Sequence, residues 1–240
     1  GPIEPRPYQG AAIDALFDWW PARPGQDPLV VLPTAAGKTV VFALLLRRLL
    51  GDYPPLRALI LAHRQELLDQ AEKKLLRVWP EAPTGIYCAA LGRRQIRQVT
   101  IASRDSVAHL SPEELGHFDI VIVDEAHRVG EDLESRYQVI FGNVRAVNPQ
   151  ATIVGFTATP YRTDSGPIYG EGKPFAGVAY EQTIRAMIRE GYLAEVRSVR
   201  VNNQIDTKGL RTVAGDFSPK QLGERAVRGD LLDAQLKEWL

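Results

Sequence analysis

Only one cysteine, Cys88, and one methionine, Met187, occur among the 240 residues of this chain. A lone cysteine excludes an intrachain disulfide, and with four scattered histidines there is no Cys/His spacing able to hold structural zinc. No charge of either sign prevails, since 29 Lys and Arg balance 29 Asp and Glu. Any contact with nucleic acid must then come from a local arrangement of charge and not from a global field. No apolar run nears the ~20 residues that cross a bilayer, and the first residues lack the basic-then-apolar pattern of a signal peptide. These absences predict a soluble, cytoplasmic protein without a membrane partner. An initiator methionine is also missing; Gly1-Pro2 reads as the scar of a cleaved tag, with the natural sequence beginning near Ile3.

What is present is ordinary for a globular domain: 45% apolar and 24% charged residues, on a chain long enough for one large core or two small ones. Short apolar runs rich in β-branched residues predict strands over 29–32, 58–61, 98–102, 120–123 and 152–156. Between and around them, helical patterns run over 8–19, 38–50, 65–79, 104–110 and 132–141, with later ones over 180–190 and 219–240. Strands alternating with helices imply an α/β fold, a parallel sheet covered on both faces. The stretch 161–179 is rich in Gly and Pro and shows no period. A connection of that length in a compact domain is usually functional or mobile.

Two stretches carry chemistry. The run Leu32-Pro33-Thr34-Ala35-Ala36-Gly37-Lys38-Thr39 leaves a strand and enters an amphipathic helix, as a phosphate-binding loop does. Its backbone N–H groups and the helix dipole attract phosphates, Lys38 reaches the β/γ oxygens, and Thr39 can ligate Mg²⁺. Further on, the apolar strand 120–123 delivers Asp124-Glu125-Ala126-His127, where Asp124 holds the metal through water and Glu125 polarises the attacking water. Either motif alone also suits a plain strand end; in this order they specify hydrolysis of a nucleoside triphosphate.

Together with Arg6-Pro7-Tyr8-Gln9, Leu61-Ala62-His63-Arg64 and Gly155-Phe156-Thr157-Ala158-Thr159-Pro160, these stretches resemble the successive motifs of superfamily 2 helicases. Residues 124–130, then Glu134-Ser135-Arg136-Tyr137-Gln138, Val147-Asn148-Pro149 and Met187-Ile188-Arg189-Glu190-Gly191-Tyr192-Leu193 resemble the RadD type of DEAD/DEAH-box helicase-like protein. The resemblance covers about residues 6–193. It implies a three-layer RecA-like P-loop NTPase domain over 3–200, with 201–240 as a C-terminal extension or the start of an interdomain linker. It also implies ATP and Mg²⁺ as cofactors, DNA as partner, a link to repair proteins, and a second RecA-like domain that this chain does not carry. Two other readings remain: the motor of a restriction or phage-defence system, and a binding module in which ATP is only a ligand.

Residue by residue, Gln9 can pair its amide with N6 and N7 of adenine, and Tyr8 or Arg6 can stack on the base; the alternative is that Pro7 and its neighbours simply start a helix. Thr34, Ala35, Ala36, Gly37, Lys38 and Thr39 would line the phosphates. His127, Thr157 and Thr159 suit a hydrogen-bonded relay that distinguishes ATP from ADP. Arg64, Ser103 and Arg104 stand at strand ends where the family contacts nucleic-acid phosphate, with Arg93, Arg94 and Arg97 as a further basic cluster. These arginines suit equally well a solvated surface or ion pairs with Glu66 and Asp105. In one departure, Ala35 and Leu32 replace glycines of the family loop. If position 35 needs a positive φ, its methyl group costs on the order of 1 kcal/mol.

Overall fold

The structure, a computed structural model, describes residues 5–62, 68–130, 135–162 and 166–195, with the backbone of 212–213 and 216–217. Two compact units divide at 193/194. In the second, the described residues form one antiparallel pair, β11 (Thr212–Val213) with β12 (Asp216–Phe217).

The first unit is built on an eight-stranded sheet. In chain order its strands are β1 (Pro28–Val31), β2 (Ala58–Ala62), β3 (Thr84–Cys88), β4 (Arg93–Arg94), β5 (Val99–Ser103), β6 (Ile120–Asp124), β7 (Thr152–Thr157) and β10 (Gly177–Glu181). Their spatial order is β10-β1-β7-β6-β2-β5-β3-β4, and every neighbouring pair is parallel except β3 with β4. The expected α/β architecture is thus present: a three-layer RecA-like P-loop NTPase fold.

Strand periodicity explains the two cores. Successive side chains point to opposite faces, so Val30, Ile60, Ile122 and Val154 join one apolar cluster with helices α1 (Pro7–Ala22), α2 (Lys38–Asp52), α3 (Leu68–Val78) and Met187 of α7 (Ile184–Arg189). Leu29, Leu61, Val121 and Ile153 join the other, beneath α4 (Arg104–Val107), α5 (Pro112–Leu115) and α6 (Arg136–Val147). Both faces are buried, which is why the strands read as unbroken apolar runs.

The expected strands all form, each within a residue or so of its limits. Three expectations are corrected. The helix over 180–190 begins only at Ile184, because Tyr180 and Glu181 pair with Val30 and Val31 as the end of β10, and Thr183 caps α7 by accepting from the Ala186 N–H at 3.1 Å. The helix over 132–141 instead spans Arg136–Val147. Tyr137, Ile140, Phe141 and Val144 keep one apolar stripe running past Gly142. The helix over 104–110 stops at Val107, and α5 comes next behind a capping box of Ser111 and Glu114. The stretch without period holds a small hairpin, β8 (Tyr161–Arg162) with β9 (Gly166–Pro167), and then β10. The start of α3 at 65–67 and the expected helix over 219–240 lie outside the described residues.

Candidate nucleotide site at the carboxyl edge of the sheet

The parallel strands β1, β2, β5, β6 and β7 end on one edge, where α/β sheets bind ligands. The loop after β1 is fastened twice: the Leu32 N–H donates to the Thr157 carbonyl (2.9 Å) and the Ala36 N–H to the Pro33 carbonyl (3.1 Å). Gly37 caps α2 at φ 77°, a left-handed conformation that glycine adopts freely. A Cβ there would lie 2.8 Å from Gln9 Nε2, so position 37 is closed to side chains on two grounds. The Val40 N–H already donates to the Gly37 carbonyl at 2.8 Å, which leaves the Lys38 and Thr39 N–H groups, ahead of the first intrahelical bonds, to face an anion.

Among the described residues, Ala35 (φ 69°) and Glu125 (φ 55°) are the non-glycine residues at positive φ. Both are in this site, and backbone strain of this kind gathers where geometry serves function. The cost foreseen for Ala35 is therefore real. Ala35→Gly should stabilise the chain by about 0.5–1 kcal/mol, since relief of the left-handed strain exceeds the added entropy of the unfolded chain. Thermal unfolding checks this, and an unchanged or lowered midpoint counts against it.

Lys38 and Glu125 face each other across the loop. Lys38 Nζ is 3.6 Å from Glu125 Oε1, and the lysine side chain is only 11% exposed. Asp124 accepts from the Glu125 N–H at 3.0 Å. Burial, and then the neighbouring Glu125 charge, push its carboxyl above the usual carboxylate range, against the opposing pull of Lys38. A half-buried carboxylate beside a second one is a place short of positive charge. Thr39, in the first turn of α2, offers a hydroxyl as a further hard oxygen of the kind that suits Mg²⁺, so the residue types fit the group. Among the described residues no cluster of three His, Cys, Asp or Glu side chains exists to cage a metal alone, and Mg²⁺ often completes its shell with water and phosphate.

His127 Nδ1 lies 3.1 Å from Thr157 Oγ1 and 3.4 Å from Glu125 Oε2. Thr157 is fully buried, and its hydroxyl donates to the Thr159 carbonyl at 3.0 Å while lying 3.1 Å from the Thr159 N–H. With the hydroxyl proton committed, Nδ1 of His127 must carry the proton it shares with Thr157. Burial, only partly offset by Glu125, holds the imidazole below its ordinary range. The three expected relay residues are thus brought together, with Thr159 contributing its main chain.

The Arg6-Pro7-Tyr8-Gln9 start of α1 touches the same loop. The Tyr8 hydroxyl and Gln9 Nε2 both donate to the Ala36 carbonyl, at 2.9 and 3.1 Å, while Gln9 Oε1 accepts from the Arg6 N–H at 2.9 Å. Gln9 is 4% exposed and therefore serves as a helix-start residue and a loop brace at once. One amide hydrogen and one lone pair stay uncommitted.

Of the expected nucleic-acid contacts, Arg64 lies outside the described residues. Ser103 is buried as the last residue of β5. Arg104 bonds to Asp105 through Nε (2.7 Å) and Nη2 (2.6 Å), and Arg136 reaches the same Oδ1 at 2.6 Å. Burial pushes the Asp105 carboxyl up, but hydrogen bonds from Arg136 and Arg104 outweigh it and hold the group low. Arg93 is likewise paired, with Asp69 and Glu72. Arg136, unforeseen from the sequence, joins Arg104 only through the folding of α6 beside α4. Because the folded carboxyl is the stronger acid, the Asp105 contribution is complete above its unfolded pKa and lost as pH falls through the folded value. Asp105→Asn should therefore flatten the acid limb of thermal stability below about pH 4. A parental acid limb in the variant would refute the assignment.

Residues 2–162 match the family described as "Type III restriction enzyme, res subunit". The chain is 27% identical over 248 residues to the helicase-like protein IRC3 of Saccharomyces cerevisiae, covering 98% of this chain and 34% of that protein. It is 27% identical over 220 residues to the Type I restriction enzyme EcoAI endonuclease subunit of Escherichia coli, covering 88% and 26%. The chain thus spans about a quarter to a third of these relatives. In fold it is similar to a nuclease-deletion mutant of the Type ISP restriction-modification enzyme LlaGI in complex with a DNA substrate mimic (TM-score 0.58, 15% identity, 79% of this chain and 21% of that one). The UvsW helicase of bacteriophage T4 is comparably similar (TM-score 0.55, 21% identity, 74% and 60%). Among the described residues, no helix is long and apolar enough to cross a membrane.

Proposed function

We propose that this chain, which belongs to the family of the Type III restriction enzyme res subunit, is the ATP-binding half of a DNA motor in a restriction or phage-defence system. At the coarser level it is a superfamily 2 helicase-like, RecA-fold ATPase domain. The observation that carries the finer reading is the family match over 2–162, supported by the restriction subunit among its relatives. A repair-associated helicase of the RadD type is the second reading, carried by the runs 124–130, 134–138, 147–149 and 187–193.

In the motor reading each residue has a task. Lys38 draws negative charge from the transferring phosphoryl group, and Glu125 takes the proton of the attacking water or orients it. The Lys38–Glu125 contact at 3.6 Å would open as phosphate enters between the two charges. Thr39, and Asp124 through water, would hold Mg²⁺, which when bound would supply positive charge for the phosphate oxygens. Gln9 reads adenine with its remaining hydrogen-bonding capacity, and His127 and Thr157 sense the state of Glu125. Arginines of a second RecA-like domain, elsewhere in the whole protein, would complete the cleft; such a residue is worth ~10³ or more in rate. DNA would be held through phosphate by Arg64, Arg104 and Arg136.

Phosphate release by the longest natural form of the protein, with and without DNA, tests the reading. Stimulation by duplexes of any sequence, with displacement of a triplex-forming strand from linear DNA, is the expected outcome. Stimulation confined to branched DNA favours the repair reading, and no release at all leaves ATP as a ligand only. Removing the Asp105 carboxylate should free both arginines, so that Asp105→Asn tightens DNA binding and steepens its salt dependence by roughly one unit. Anisotropy titrations at several salt concentrations measure this; an unchanged slope puts the DNA path elsewhere.

A further inference from the structure

We propose that Tyr192 is a positioning residue for the nucleotide base: its ring supports the Arg6 guanidinium, whose outer face then stacks on adenine. This rests on the reading of the 32–39 loop as an ATP site. The placement of Tyr192 starts with the backbone. Gly191 follows the C-cap of α7, Glu190, and its φ of 76° is a left-handed turn that suits glycine. The Gly191 N–H donates to the Ile188 carbonyl (3.0 Å) and the Tyr192 N–H to the Met187 carbonyl (2.8 Å). That pair of bonds is a Schellman cap, which sets the residue after the glycine against the residue five before it. Met187 is fully buried, and Tyr192 packs on the same apolar cluster as Tyr8, Leu32 and Ala36. The cap therefore delivers the tyrosine ring to the start of α1.

There the ring meets Tyr8 edge-on, with centroids 5.0 Å apart, and Arg6 Cζ lies 5.4 Å over its centroid. Arg6 Nη1 is also 3.5 Å from the Tyr8 hydroxyl, which donates to the Ala36 carbonyl of the loop. Tyr8 is 4% exposed and has no free face for a base, whereas Arg6 is exposed. Of the two residues able to stack, the arginine is thus the one available. A guanidinium resting on one π face keeps its other face for a second. Being held beforehand, it also loses less rotamer freedom when the base arrives.

Competition titrations on the 240-residue chain with ADP and with inorganic tripolyphosphate, which has phosphates but no base, test the inference. Tyr192→Leu should weaken ADP roughly three- to tenfold, the span of a cation–π support, and leave tripolyphosphate unchanged. Tyr192→Phe, which keeps the ring, should restore ADP binding. Arg6→Ala should weaken ADP similarly, and adding Tyr192→Leu to it should cost nothing more. Equal weakening of both ligands, or parental ADP affinity in Tyr192→Leu, overturns the proposal. Should leucine unfold the chain, Tyr192→Met preserves the volume without the π face, and failure of both to fold assigns the ring to packing and also overturns it. Absence of ADP and tripolyphosphate binding in the parent would instead remove the ATP-site reading itself.

Discussion

Replacing Glu125 by glutamine in the longest natural form of the protein should leave nucleotide affinity within about twofold and lower phosphate release by about 10²–10⁴-fold, as loss of a positioned base does. The reason lies in when the carboxylate acts. In the free site it faces Lys38 Nζ at 3.6 Å and lies 3.4 Å from His127 Nδ1, contacts a glutamine oxygen can approximate; in the reaction it must take up proton charge, which an amide cannot. Glutamine also keeps the left-handed backbone of position 125, φ 55°. Glu125→Gly removes carboxylate and strain together, so phosphate release should fall as far while the melting temperature rises, the relieved strain being worth about 1 kcal/mol. A fall in both stability and activity for the glycine variant would show the conformation to be unstrained. Equal loss of ATP binding in the glutamine variant would make Glu125 structural.

Adding one methyl group at Gly155 should be the most damaging small change in the sheet. A Cβ there would stand 2.6 Å from two ring carbons of Phe175 and 2.8 Å from Leu29 Cδ1, and both neighbours are fully buried. Such overpacking costs about 1–3 kcal/mol and should lower the melting temperature of Gly155→Ala by roughly 2–12 °C. Phe175→Leu, itself destabilising, should recover part of that loss when combined with Gly155→Ala, because the two sites share one contact. Strict additivity of the two changes in thermal unfolding would refute the steric explanation. The clash has a functional side as well, since Gly155 lies two residues before Thr157 on the same strand.

The central strands were legible because burial on both faces turns them into plain apolar runs, and β1, β2, β5, β6 and β7 needed no partner to be recognised. The others depend on what they touch. β3 contains Gly85, where a Cβ would meet the Gln95 carbonyl and Arg97 Cγ at 2.9 Å. Close approach explains the glycine, yet no local pattern announces it. β10 is a half-buried edge strand whose identity comes from pairing with β1, so its Tyr-Glu end reads as easily for a helix. At the site, the loop and the Asp124-Glu125 strand end carry their own spacing. The Asp105 clamp on Arg104 and Arg136, the bracing of Gln9 against Ala36 and the seat of Arg6 on Tyr192 join residues remote in sequence, and only folding brings them together.

The position of β1 also orders events during synthesis. It lies between β7 and β10, so Leu29 waits for Gly155 on one side and Val178 on the other. At ~5–20 residues per second a ribosome needs roughly 7–30 s to deliver both. Until β7 emerges the nascent strand has two open edges, and until β10 emerges one, a template for unwanted pairing, while α1 and α2 can already cover one of its faces. The bond from Leu32 to Thr157 cannot close earlier either. An emerging chain therefore cannot fasten its phosphate loop until almost the whole first unit has been translated, and one released after residue 162 would leave the strand beneath that loop with a bare edge.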